Sequence, residues 1–470
     1  MEPTSLAFRE RATRALADPV LSTALARLET GWQAARARAA ADLPEFEALR
    51  DAAVAIRDHA LAHLDFYLEA FERRFTERGG VVHWARDAAE ARAIVLELCR
   101  AARARTVTKS KSMVAEEIGL NAFLEAHGLR VIETDLGEYI VQLAGEVPSH
   151  LVGPAVHMTR ERIAELFAKA HGGPPKQDSA ALVAEARRVL RQRYLEADVG
   201  ITGANFLIAE TGSIVTVTNE GNAELTQGLP KLHIAITGIE KVVPTVEDAF
   251  VLLRLLARSA TGQEFSAYTT FLTGPKRPDE RDGPEAMHLV LLDNGRTRML
   301  GGPMRAMLRC IRCGACMNHC PVYLAAGGHA YGWVYPGPMG SVLTPHFVGI
   351  EKSWPLPNAS TFCGRCEEVC PVRIPLPGLM RLWREEAHRR GLAPPAARFG
   401  LALWAFFARR PPLYRFATRI AVALLGAFGR RRGRFARLPF ARGWTESRDF
   451  PAPEGSTFTA QWRARRGTGR

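Results

Sequence analysis

The chain has 470 residues, too many for one ordinary core, and at about 150 residues per domain it is expected to form two to four compact units. Its 47% hydrophobic and 24% charged content is that of a soluble globular protein and excludes a fibrous or wholly disordered chain. The net charge of +13 is uneven: the last 100 residues carry 21 Arg, no Lys and five acids, a net of +16, which leaves −3 for the other 370.

The opening MEPTSLAFRERATRAL carries Glu2, Arg9, Glu10, Arg11 and Arg14 without an apolar run. It does not read as a secretory signal, so a cytoplasmic protein is expected. From about Ser5 to Leu98, Ala, Arg, Glu and Leu dominate, and apolar residues at helical spacing predict several helices. Cys99, alone in ARAIVLELCRAARA, is expected to be a buried small hydrophobe. Between Thr106 and Val290 the texture changes to short apolar or β-branched runs: LRVIETD, YIVQLA, FLIAE, GSIVTVT and LHIAITGI. Read as strands alternating with helices, they predict an α/β unit with a mainly parallel sheet. GPKRPDERDGPE, from Gly274 to Glu285, reads as a polar loop leaving that unit.

Seven of the eight cysteines then fall between Cys310 and Cys370. CIRCGACMNHCP and STFCGRCEEVCP superpose at every cysteine but one, Ser360 standing where the first run has Cys310. The C-x2-C-x2-C-x3-C-P spacing is that of bacterial ferredoxins, in which the fourth cysteine serves the other [4Fe–4S] cluster. Structural zinc sites pair two short knuckles across a spacer and fit two interleaved runs poorly. Crossing the cysteines over gives one set of Cys310, Cys313, Cys316 and Cys370, and a second of Cys320, Cys363 and Cys366 with its fourth corner at Ser360. Two [4Fe–4S] clusters are expected. The open corner leaves alternatives: the Ser360 oxygen, water, a partner residue, or a three-iron cluster.

After a helical RLWREEAHRRG, the basic segment holds GLALWAFFA (Gly400 to Ala408) and IAVALLGAFG (Ile420 to Gly429). Both are far short of the ~20 apolar residues of a spanning helix, and Arg409, Arg410, Arg415 and Arg419 interrupt them. Two readings stay open: a helical pair packed on its own domain or a partner subunit, and an interfacial helix with its Arg flanks on anionic lipid at the inner membrane face.

Taken together, CIRCGACMNHCPVY, GGHAYGWVYPGPMGSVLTP and CGRCEEVCPVRIPLP resemble the lactate utilization protein B family. The resemblance continues upstream through TKSKSMVAEEIGLN, VIETDLGEYIVQL, PSHLVGPAVH and GITGANFLIAETGSIVTVTNEGNAEL, and weakens before about residue 60 and past about Phe440. It implies an N-terminal helical segment (1–65), a lactate-utilization α/β domain of the sugar-isomerase and CoA-transferase type (66–296), a two-cluster ferredoxin-type domain (297–390) and a basic C-terminal segment (391–470). It also implies an iron–sulfur subunit that works beside a cysteine-rich subunit and a second lactate-utilization-domain subunit to oxidise L-lactate to pyruvate. The family's second run also tends to hold three cysteines, so Ser360 matches that pattern.

Among the α/β residues, Lys109 and Lys111 are candidates to hold a carboxylate, and Glu210, at the end of FLIA, is a candidate base. Solvated lysines and a capping carboxylate are the plainer readings. TNEGN (Thr218 to Asn222) closes the next strand with backbone N–H groups suited to an anion. His150 and His157 are candidates for proton transfer. No GxGxxG, Walker A or GxSxG run occurs, so no flavin or nicotinamide motif bridges two-electron lactate chemistry and one-electron clusters. The partner subunits are therefore expected to supply the two-electron step. A rival substrate is another 2-hydroxy acid such as glycolate. A nucleic-acid surface on the Arg-rich tail lacks aromatic interleaving or a docking motif.

Overall fold

The computed structural model describes residues 2–438, 445 and 448–467; Met1 and the rest of the basic segment, including Glu446, lie outside the described residues. The chain divides into two compact units, Met1–Ala387 and His388–Arg470.

The first unit is built on a six-stranded sheet. Its strands are β1 (Val81–Ala85), β2 (Thr106–Lys109), β3 (Arg130–Glu133), β4 (Val199–Gly203), β7 (Leu232–Gly238) and β10 (Ala286–Leu292). They lie in the order β1-β10-β7-β4-β2-β3, and every pairing is parallel. The central strand β7, LHIAITG, is buried at all seven positions, as a parallel strand covered on both faces must be. Edge strand β1 is mostly open. A second, four-stranded sheet orders β8 (Val242–Val243), β5 (Phe206–Ile208), β6 (Ser213–Thr218) and β9 (Tyr268–Leu272). There β6 runs antiparallel to both β5 and β9. Gly274 to Glu285 forms no helix or strand.

One expected strand is a helix. YIVQLA lies in the helix Leu136–Ala144, started by the Asp135 side chain, which accepts from the Glu138 N–H, and closed by Gly145 at φ 66°. Tyr139, Ile140 and Val141 are buried in one cluster with Phe167 and Leu182. A short apolar run is ambiguous by pattern alone, and here the two caps decide. Cys99 is buried, and burial pushes its thiol up to about 12.

The N-terminal residues form helices, chiefly Pro19–Leu28, Ala34–Ala41, Phe46–Ala62 and Leu64–Glu77. Leu25, Leu28, Phe46, Ala53 and Leu61 share one core with Leu252 and Leu256 of the helix Val246–Thr261 and with Met307, Ile311, Met317 and Tyr335 of the cysteine region. The helical segment is thus the wall against which the cysteine region packs. The second unit contains the paired helices Pro395–Ala408 and Pro411–Gly429 and a two-stranded ribbon, Arg434–Phe435 with Phe450–Pro451. Among the described residues no helix is long and apolar enough to cross a membrane.

Candidate metal centres and the adjoining cavity

Both cysteine runs fold by the same local rule. Arg312 (φ 62°) and Gly314 (φ 74°) flank Cys313, and Phe362 (φ 56°) and Gly364 (φ 82°) flank Cys363, all in the left-handed region. Each loop then turns into a four-residue helix, Ala315–Asn318 or Arg365–Glu368. Pro321 follows the last cysteine of the first run and opens the helix Pro321–Ala326, where a missing N–H costs nothing. A left-handed non-glycine residue at the same point of both loops is strain held by the surroundings, of a kind that clusters at functional sites.

This folding brings the thiols of each expected group near one another, and the two groups near each other. Cys313 lies in the electrostatic field of Cys370 and Cys310, and Cys316 in that of Cys313, Cys310, Cys366 and Cys370. Cys320 is paired in the same way with Cys363, and Cys366 with Cys320 and Cys363. None of the eight cysteines forms a disulfide. Burial pushes the Cys313 and Cys366 thiols up to about 12 and that of Cys370 to about 11. Cys363, exposed, is lowered instead by the Arg365 N–H and the Thr361 hydroxyl. Backbone N–H groups aim at sulfur, as Ile374 does at Cys370 Sγ over 3.4 Å. A donor set of grouped, N–H-solvated thiols on tight loops fits iron–sulfur clusters, whose iron charge holds thiolates that burial alone would protonate.

Ser360 stays beside the second group. With His319, Cys320, Cys363 and Cys366 it lines a cleft of about 10 Å³. Its Oγ accepts from the Phe362 N–H at 3.1 Å, and Arg384 donates to its carbonyl while covering the Phe362 ring.

A basic shell grips the loops of the first group. Arg36 donates to Val369 O at 3.0 Å, and Arg50 to Cys370 O at 2.8 Å and Glu368 O at 2.7 Å. Arg57, fully buried, donates to Leu308 O at 3.0 Å and Val242 O at 2.9 Å. Lys241 donates to Cys310 O at 3.2 Å. Burial lowers Arg57 to about 10 and Lys241 to about 8. The acids among these cations are Glu240, bound by Arg296 at 2.7 Å, Glu117, bound by Arg296 at 3.0 Å, Glu47, bound by Arg50 at 2.8 Å, and Asp58 near Arg57. Four carboxylates against Arg36, Arg50, Arg57, Lys241, Arg296 and Arg312 still leave a positive excess suited to an anionic cluster.

Beside this shell, at the carboxyl ends of β2, β4 and β7, lies a cavity of about 250 Å³. Lys111, Asp135, Asn205 and Asn222 line it, with Thr216 and Thr218 of β6 as one wall and Lys241, Arg312 and Cys313 as another. In open α/β sheets this edge is where ligands bind.

Sequence models of three domains match the chain in succession: the LUD domain over residues 68–292, the 4Fe-4S dicluster domain over 306–374, and the C-terminal domain of lactate utilisation protein B over 386–467. The chain is 43% identical to lactate utilization protein B of Lysinibacillus sphaericus over 460 residues, 97% of each chain. The corresponding protein of Geobacillus kaustophilus is 46% identical over 420 residues, 89% of this chain and 88% of that one. This chain belongs to the lactate utilization protein B family. A solved DUF162 family protein from Deinococcus radiodurans is similar at 16% identity over 49% of this chain and 98% of that one, with a TM-score of 0.28.

Within this family member the sequence candidates separate. Lys111 reaches the cavity, where it donates to Val152 O at 2.9 Å and faces Asp135 at 3.4 Å. Lys109 does not: it is fully buried between Glu116 and Glu133, each at 2.8 Å, with Glu138 at 3.7 Å. Those carboxylates hold its ammonium well above the usual lysine range, and burial raises Glu133 and Glu138. Glu210 is exposed and caps the helix Val246–Thr261 by accepting from the Val246 N–H at 3.0 Å. Asn219, Glu220 and Asn222 of TNEGN line the cavity.

The two histidines are built into the frame. His150 accepts from the Val152 and Gly153 N–H groups through Nδ1 and so donates through Nε2 to Asn318 Oδ1. Burial lowers it to about 3. His157 bridges Ser149 and Glu146, each at 2.7 Å, and burial lowers it to about 4. Sequence reasoning missed Arg36, Arg50, Arg57, Lys241 and Arg312, since nothing local distinguishes these from other basic residues.

Proposed function

We propose that this chain is the iron–sulfur electron-transfer subunit of a system that oxidises L-lactate to pyruvate. Cys310, Cys313, Cys316 and Cys370 hold one [4Fe–4S] cluster, and Cys320, Cys363 and Cys366 hold a second whose fourth corner lies at Ser360. Bound clusters of this kind supply one-electron transfer. The observation that carries the reading is a direction: Cys313 of the first set lines the cavity, whereas Cys363 of the second is exposed. Cys316 interacts electrostatically with Cys366 across the two sets, which supports a continuous relay from cavity to surface.

The chain's own residues fix the loops and balance charge. Arg36, Arg50 and Lys241 hold ligand-loop carbonyls, and the positive excess stabilises added electrons. The two-electron step belongs to partner subunits, a cysteine-rich one and a second one with a lactate-utilization domain, to which an exposed Cys363 edge gives access. The parallel sheet with a cavity at its carboxyl edge is compatible with a sugar-isomerase and CoA-transferase type of α/β domain. We place the complex in the cytoplasm, with the Arg-rich C-terminal unit on a partner or on the anionic inner membrane face.

The test is growth of a deletion strain on L-lactate and on glycolate as sole carbon source. Loss of growth on L-lactate alone, restored by the wild-type chain and not by the Cys370→Ser variant, is the expected result. Loss on glycolate alone would replace the substrate, and restoration by Cys370→Ser would remove the relay.

A further inference from the structure

The relay begins at a cavity, and its walls have a chemistry of their own. Three cations reach it, Lys111, Lys241 and Arg312, against Asp135 and, at the exposed rim, Glu220; behind Arg312, Glu240 at 3.9 Å is held in turn by Arg296 at 2.7 Å. That balance favours a monoanion. Thr216, on the β6 wall, has a buried hydroxyl with no hydrogen-bond partner, and one Arg312 guanidinium nitrogen is buried without an acceptor. Buried polar atoms are nearly always paired, and these two, in the lining of one cavity, have room there for a ligand or water as partner.

Size narrows the class further. At about 250 Å³ the cavity lies just below the roughly 300–1,000 Å³ of pockets for drug-sized ligands, and it admits a compact acid of a few heavy atoms together with water. Position completes the argument. Strand ends of the parallel sheet supply one side, and Arg312 and Cys313 of the first cysteine loop supply the other. A ligand here lies against the loop that carries the first thiol set.

We propose that this cavity is the binding site of a small monocarboxylate bearing a 2-hydroxy or 2-oxo oxygen, with Lys111 and Thr216 among its contacts. The inference rests on the lactate-oxidation reading for the choice of acid. It assigns binding of the acid to this chain; oxidation of the bound acid releases two electrons and two protons, and the two-electron acceptor that takes them is supplied by a partner subunit at the cavity mouth, which then passes electrons singly to the first thiol set.

Calorimetric titration of the anaerobic holoprotein with L-lactate, pyruvate, glycolate and acetate tests it, alongside EPR of the reduced protein. Saturable binding of L-lactate or pyruvate is expected, with acetate at least tenfold weaker for lack of the 2-oxygen. The ligand should shift the EPR signal that Cys370→Ser removes and leave the other signal in place. Lys111→Met should weaken binding about tenfold and the isosteric Thr216→Val about fivefold, both at wild-type iron content. Absence of saturable binding, or binding untouched by both variants, overturns the site. If a reconstituted complex oxidises L-lactate while this chain binds none of the four acids, the site fails and the lactate reading stands. If the cavity binds glycolate and not L-lactate, with the same dependence on Lys111 and Thr216, the site stands and the lactate reading fails.

Discussion

Lys241 donates its ammonium to the carbonyl oxygen of Cys310 at 3.2 Å, from a position almost sealed from solvent. One residue thereby joins the end of β7, the cavity wall and the first ligand loop. Charge at this distance in a poorly solvated site favours the more negative state of a neighbouring redox group. Lys241→Met is expected to lower the reduction potential of the first cluster by tens of millivolts and leave the second unchanged. An EPR-monitored redox titration of both proteins checks it.

Arg50 tests the clamp from the N-terminal helices. It donates to the carbonyls of Cys370 and Glu368, and its truncation leaves those acceptors without a charged donor. Hydrogen bonds to charged groups contribute about 1.5–3 kcal/mol each, so Arg50→Leu is expected to cost at least about 3 kcal/mol. Thermal unfolding under argon and iron analysis should show a lower Tm and preferential loss of the first cluster.

Lys109 is expected to behave as structure. Removing one partner of a buried ion network costs about 3–5 kcal/mol, so Lys109→Met should be strongly destabilised. Burial and the neighbouring Glu116 raise both Glu133 and Glu138, and without the lysine the fold prefers them protonated. The unfolded chain binds fewer protons above the ordinary carboxylate pKa, so the variant's deficit relative to the wild type should shrink as pH falls from 7 toward 5. Urea unfolding at several pH values checks the sign.

Buried histidines give the wild type the opposite slope. His150 and His233 are lowered to about 3, against an ordinary value of about 6.5. Between those values the unfolded chain binds more protons than the folded one. Their contribution is fully present above about pH 6.5 and is lost as pH falls toward 3, at up to about 1.4 kcal/mol per unit for each histidine. His233→Gln should flatten the dependence of the urea midpoint on pH by about one proton.

How much of this was legible follows from which interactions are local. The cysteine loops could be read because Cys, Gly and Pro act within four residues of each other. Strands such as LHIAITGI and GSIVTVT could be read because both are almost wholly buried and rich in β-branched residues. YIVQLA could not, since its apolar run suits either element and the decision lay in Asp135 and Gly145. The clamp was invisible for a different reason: Arg57 meets Val242 across 185 positions and Arg36 meets Val369 across 333. Lys109 and Lys111 look alike in sequence, yet the chain leaves β2 between them, so one enters a buried acid cluster and the other the cavity.

The most direct measurement is an iron and acid-labile sulfide count on the anaerobically purified chain, with low-temperature EPR of the wild type, Cys370→Ser and Cys320→Ser. The account predicts about eight irons in the wild type, or about seven if the Ser360 corner carries no iron. Cys370→Ser should remove one EPR signal and Cys320→Ser the other. One tightly bound zinc without sulfide, or loss of the same signal in both variants, would contradict it.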